Sequence, residues 1–113
     1  MDSGIQDTFE FIRSLGRPEE LAALARDGYG PGTPPPVNAH VHLPPNFSAF
    51  GTVEQAVDLA AEQGLRVLGA SNYYDYEVYG DFGRLARERG IFPLFGLEII
   101  AQMESLAGEG VRV

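Results

Sequence analysis

Across residues 37–100 the chain alternates apolar runs of strand length with amphipathic segments closed by glycine, and no other feature constrains its fold as much. Residues 37–42 read as a short strand. Thr52-Val53-Glu54-Gln55 has the pattern of a capping box, with Thr52 as the cap and Gln55 reaching back. The helix beyond it runs to Gln63 and puts Val53, Ala56, Val57, Ala60 and Ala61 on its buried side. Gly64 supplies a left-handed stop. Residues 65–70 form a second strand, 76–89 a second helix closed by Gly90, and 91–100 a third strand interrupted by Pro93 and Gly96. A turn at Gly108-Glu109-Gly110 leads into Val111-Arg112-Val113, which reads as a strand just starting.

This order is β-α-β-α-β at about 25–30 residues per unit, the size of βαβ crossovers. The strands are continuously apolar rather than alternating, which suits parallel strands covered on both faces. The expected fold class is α/β, either a doubly wound sheet or a barrel. Both architectures use more strands than 113 residues supply, so the expectation is a fold cut short in its last strand.

Two further regions precede this one. Ile5, Phe9, Ile12 and Leu15 recur at helical spacing, which predicts a helix over 5–15 ended by Gly16. Pro18 suits the first turn of a second helix, in which Leu21, Leu24 and Ala25 form an apolar stripe before Gly28. Residues 1–29 therefore read as a helical extension that packs on the rest of the chain. Gly30-Pro31-Gly32-Thr33-Pro34-Pro35-Pro36 cannot be helix or central strand and holds the chain extended, so 30–36 is a linker. The domain proper is 37–113.

Composition narrows the function. With 16 acidic and 8 basic residues the net charge is −8, which disfavours nucleic-acid backbones and anionic membranes as partners. It leaves a cation open. The absence of cysteine excludes disulfides, thiolate metal sites and cysteine nucleophiles, so any metal must be held by His, Asp, Glu or backbone oxygen. The N-terminus lacks the basic start and apolar run of a signal peptide, and no stretch reaches membrane-spanning length. The expected location is cytoplasmic.

The only two histidines are His40 and His42, in Asn38-Ala39-His40-Val41-His42. Positions two apart on a strand face the same side, so two imidazoles stand together at the C-terminal end of the first strand. Parallel α/β folds place their sites at that end. An isolated His-x-His is more often a polar pair bonded to backbone. Its place before a Pro- and Asn-rich loop in a βα series favours first ligands for zinc, manganese or iron. Glu98 comes after an apolar strand, either on a metal or on a solvated face, and spacing alone does not choose. Tyr73, Tyr74, Tyr76 and Tyr79 cluster after the second strand. They read as one wall of a pocket mouth or, for Tyr79 with Phe82 and Ala86, as a core stripe. Gly28-Tyr29-Gly30-Pro31-Gly32 lacks the strand and the Lys-Ser or Lys-Thr of a phosphate loop and is discounted.

The stretch from Asn38 to Ile99 resembles the PHP domain, the family named for polymerase and histidinol phosphatase. That family opens on Asp-x-His-x-His, continues with a Gly-Leu-initiated strand ending in Asp-His, and then has a strand ending in Gly-(apolar)-Glu. Here the corresponding residues are Asn38-Ala39-His40-Val41-His42, then Gly64-Leu65-Arg66-Val67-Leu68-Gly69-Ala70-Ser71-Asn72, then Gly96-Leu97-Glu98-Ile99. The resemblance covers about residues 37–100 and implies a distorted barrel with a metal cluster that hydrolyses phosphate esters. It implies that His40, His42 and Glu98 are metal ligands. Asn38 stands where the family has Asp, Ser71-Asn72 where it has Asp-His, and the Phe47-Ser48-Ala49-Phe50-Gly51 loop lacks the family's acid.

The sequence thus points to the first part of a partial (β/α) barrel of PHP type, a metal-dependent phosphoesterase with a degraded or incomplete site. Its expected cofactor is a divalent Zn, Mn or Fe ion and its expected partner a small-molecule phosphate ester, with self-association through open sheet edges. No catalytic side chain is named beyond the three ligands. The alternative is a non-catalytic PHP-derived scaffold or binding module. A third reading, a self-contained interaction domain, requires that His42 and Glu98 lie apart.

Overall fold

Two glycines set the frame of the sheet. In the computed structural model, which describes residues 3–28 and 34–110, Gly64 and Gly90 have φ of +73° and +72° with open space where a Cβ would stand. Each ends a helix in the same way. Gly64 N–H donates to Ala61 O and Leu65 N–H to Ala60 O, both at 3.0 Å, closing helix α3 (Val53–Glu62). Gly90 N–H donates to Arg87 O and Ile91 N–H to Ala86 O at 3.0 and 2.9 Å, closing helix α4 (Tyr79–Glu88). This paired 5→2 and 6→1 bonding satisfies the last carbonyls and turns Leu65 and Ile91 into the core. The strands start just beyond.

The sheet has three parallel strands, β1 (Val37–Val41), β2 (Val67–Tyr73) and β3 (Phe92–Glu98), in the order β1-β2-β3. Ahead of it lie α1 (Ser3–Arg13) and α2 (Pro18–Gly28), and after it the short α5 (Glu104–Ala107). The parallel α/β class is as expected. The second strand is shifted along the chain: Leu65 closes a helix instead of opening a strand, and the ladder runs on to Tyr73. The one-turn α5 was not expected. The strand expected at 111–113 and linker residues 30–33 lie outside the described residues.

Helix α3 begins as its sequence foretold. The Thr52 side chain accepts from Gln55 N–H at 3.0 Å, and the Gln55 side chain accepts from Gly51 N–H at 2.6 Å. Ala56, Val57 and Ala60 are buried, whereas Ala61, expected inside, faces solvent. Tyr79, Phe82 and Ala86 of α4 form the expected core stripe. With Leu43, Leu68, Ala70, Leu85 and Ile91 they make the core between the helices and one sheet face. Arg89 ties the two helices through Asp58 and Glu54 of α3.

Helix α1 packs on α4, with the Phe11 ring 6.1 Å from that of Phe92 and the Arg87 guanidinium 5.0 Å above it. Helix α2 does not pack as expected. Gly16 redirects the chain at φ +118°, and Leu21 and Leu24 remain exposed. Coverage of both sheet faces was also expected. Among the described residues α3 and α4 lie on one face only, that of Leu68, Ala70 and Asn72. On the other, Val37 and Leu94 are exposed.

Candidate metal centre

The strand register decides what meets at the C-terminal end of the sheet. On β2 and β3 the pairs Gly69↔Leu94, Ser71↔Gly96 and Tyr73↔Glu98 share the open face. On β1, Val37↔Val67 and Asn38↔Leu68 are in step, but the next pair is Val41↔Ala70. One extra residue is therefore accommodated between Asn38 and Val41. The irregularity is held by Asn38 Oδ1, which accepts from His40 N–H at 3.1 Å. Regular alternation from Asn38 would turn His40 and His42 toward the helices. The bulge reverses the parity and sends both imidazoles to the open face beside Glu98.

Gly69 makes this possible. A Cβ there would overlap the Ala39 carbonyl oxygen, so only glycine lets the bulged strand lie this close to β2.

His42 Nε2 donates to Glu98 Oε1 at 2.9 Å, and His40 Nε2 bonds the same oxygen. The His40 ring is largely exposed, while His42 and Glu98 are about three-quarters or more covered, with side-chain exposures of 17% and 26%. The two imidazole ring centres lie 5.3 Å apart, and the Tyr73 ring centre lies 4.7 Å from that of His42 in an edge-to-face arrangement. The neighbouring Glu98 carboxylate, as a hydrogen-bond acceptor and a negative charge, pushes the Tyr73 phenol pKa up. The hydrogen bond from His42 is the main cause that lowers the Glu98 pKa. Partial burial opposes it, and Tyr73 adds to it.

The backbone around Glu98 is fixed from the β2 side. Tyr74, at φ +56°, donates its N–H to Glu98 O at 3.1 Å, and its hydroxyl accepts from Ile100 N–H at 2.7 Å and donates to Ile100 O at 2.9 Å. Two asparagine amides do the same for the loop after β1. Asn72, 1% exposed, accepts from Leu43 N–H at 2.7 Å and donates to Leu43 O at 3.2 Å. Asn46 accepts from Tyr73 N–H and donates to Tyr73 O, both at 3.0 Å. The end of β1, the loop and the end of β2 are thus laced together at His42.

The three residues singled out from sequence converge on one point. Their donor atoms lie within 4.8 Å of one another, and among the described residues they form the one such group of three. That span encloses the roughly 3.3 Å donor separation of a tetrahedral zinc site with bonds of about 2.0–2.1 Å. Two imidazoles and one carboxylate, with further positions open, are the donor set of mononuclear catalytic sites rather than of closed structural ones. The donor chemistry and spacing fit a divalent cation such as zinc.

Asn72 and Asp75 do not join the cluster. Asn72 points to the helix-covered face as a backbone clamp, and Asp75 accepts from Glu77 N–H at 2.8 Å in a turn before α4. Tyr73 is the site residue that sequence left undecided; its pairing partner across the sheet, Glu98, was the signal available. Compared with family models, with curated proteins and with solved structures, the chain matches none.

Proposed function

We propose that His40, His42 and Glu98 hold one divalent cation, zinc, manganese or iron, and that residues 37–113 are the opening part of a PHP-like phosphoesterase barrel. The observation that carries this reading is the meeting of His42 and Glu98, 56 residues apart, at 2.9 Å on the C-terminal end of parallel strands. Such convergence also counts against a self-contained interaction domain in which the two lie apart. A bound cation there supplies Lewis acidity toward a phosphoryl oxygen and lowers the pKa of a bound water. The chain's own contribution is to hold two imidazoles and one carboxylate on a bulged strand end, with Tyr73 beside the carboxylate. An anionic ester approaching a chain of net charge −8 needs that local positive charge.

A second reading, a non-catalytic domain of the same descent, is favoured by one feature. At Asn72, where the family carries a histidine ligand, the side chain is consumed in holding Leu43.

Metal titration of the purified chain separates the two. Stoichiometric zinc or manganese binding that is lost in a His40→Ala, His42→Ala double variant supports the metal centre. A wild-type chain that binds neither ion leaves the scaffold reading.

A further inference from the structure

Beside the histidine pair lies a cleft of about 240 Å³ lined by His40, Val41, His42, Phe47, Ser48 and Phe50. Its wall is apolar in effect. The Ser48 hydroxyl donates to His42 O at 2.6 Å and accepts from Phe50 N–H at 3.1 Å, so its proton and one lone pair are engaged inside the loop. Phe50 is half buried and packs on the core. Phe47 is different: it is 86% exposed.

Single exposed apolar residues are ordinary on protein surfaces. Phe47, however, sits in a loop whose neighbours are all tied down. Asn46 is bonded to Tyr73 on both sides of its amide, Asn46 N–H donates to Leu43 O at 3.1 Å, and Ser48 is anchored on His42. The loop holds an aromatic ring in water next to the candidate metal ligands, where it gains no burial.

The volume sets the size of a guest. A cavity of about 150 Å³ accommodates a benzene ring. The cleft therefore has room for one ring and a short connection.

Resting on the metal-centre reading above, we propose that this cleft receives the planar body of a single-ring aryl phosphate ester. The ring lies between Phe47 and Phe50, and the phosphate is turned to the His40, His42 and Glu98 end. Recognition of the body is by aromatic contact, since the lining offers it no free hydroxyl.

Calorimetric titration of the zinc-loaded chain with phenylphosphonate, methylphosphonate and cyclohexylphosphonate, all inert to hydrolysis, tests this. Phenylphosphonate is expected to bind about five- to tenfold more tightly than methylphosphonate, the scale of one aromatic contact. Phe47→Ala is expected to remove the preference without changing zinc affinity, and Phe47→Tyr to keep it. Far-UV circular dichroism confirms that both variants fold, as the exposure of Phe47 leads one to expect.

Equal affinity for the phenyl and methyl ligands in a chain that binds zinc overturns the inference and leaves the metal centre standing. Equal affinity for phenyl and cyclohexyl overturns its aromatic character. Failure to bind zinc overturns both.

Discussion

At Asn72 a single amide decides the shape of the candidate site. It is buried, it pairs with both polar backbone groups of Leu43, and its own N–H donates to the Tyr79 hydroxyl at 2.8 Å. Removing the amide strands two buried backbone groups, so Asn72→Ala is expected to cost about 2–4 kcal/mol of stability, read as a lower urea midpoint. An unchanged midpoint would show that water replaces the amide freely. The partner phenol makes a second, pH-dependent prediction. Tyr79 donates to Gly96 O at 2.6 Å and lies in the core, and burial pushes its pKa above the ordinary value of 10.0. A raised folded-state pKa contributes stability that is full below the unfolded value and is lost as pH rises through the folded value. The fold is therefore expected to weaken above pH 10.0, as Tyr79 ionises. Absorbance at the phenolate band followed alongside circular dichroism checks it; complete phenolate formation with no loss of structure would contradict it. Neither role of Asn72 was legible in the sequence. Its alignment with a ligand position suggested a weak metal donor, and only the register, which turns Asn72 to the helix face and Tyr73 to the open face, separates the two.

Among the elements, β1 carries the largest gap between sequence and structure. The helices were legible because their signals are local: Thr52 and Gln55 at one end of α3, Gly64 and Gly90 at the stops, a stripe through Tyr79, Phe82 and Ala86. The pairing of His40 and His42 at the C-terminal end of β1 was legible too, whereas spacing left Glu98 between a ligand and a solvated face and only the resemblance put it in the site. The bulge in β1 was not legible, since it arises from the fit of one strand against another and leaves no periodic trace. It depends on Gly69, whose missing side chain admits the Ala39 carbonyl. Gly69→Ala would drive a methyl group into that oxygen, and relief requires β1 to move off β2. The expected cost is about 1–3 kcal/mol or more, as for other overpacked sites. The sharper readout is the site itself: His40 and His42 should part from Glu98, so zinc binding should fall by more than stability alone explains. A Gly69→Ala chain that binds zinc as the wild type does would show that the bulge is not what aims the histidines.

For the whole molecule β1 and β3 are both edge strands among the described residues, and the outer edge of β3 is the one flanked by a run of exposed apolar residues. Phe92 N–H donates to Arg66 O at 2.8 Å and Glu98 O accepts from Tyr74, so the even residues of β3 face β2 and the odd ones face outward. Pro93 is then an outward residue, and its missing N–H weakens only the free edge, the position in which proline is tolerated in a sheet. It blunts the start of that edge, while Phe95 and Leu97 still present backbone groups farther along. Around them Leu97, Ile99, Ile100 and Met103 are exposed at 46%, 67%, 52% and 65%. Proline explains why the sequence of β3 looked interrupted, and the apolar residues beside it are left uncovered among the described residues. In the chain by itself they favour pairing with another copy. The sedimentation coefficient is therefore expected to rise with protein concentration. A Leu97→Lys, Ile99→Lys double variant, which places charge on the free edge without touching the core or the three histidine and glutamate side chains, is expected to return it to the value of a single chain. A wild-type chain that sediments as one species across the whole concentration range would mean that Pro93 alone suffices to protect the edge.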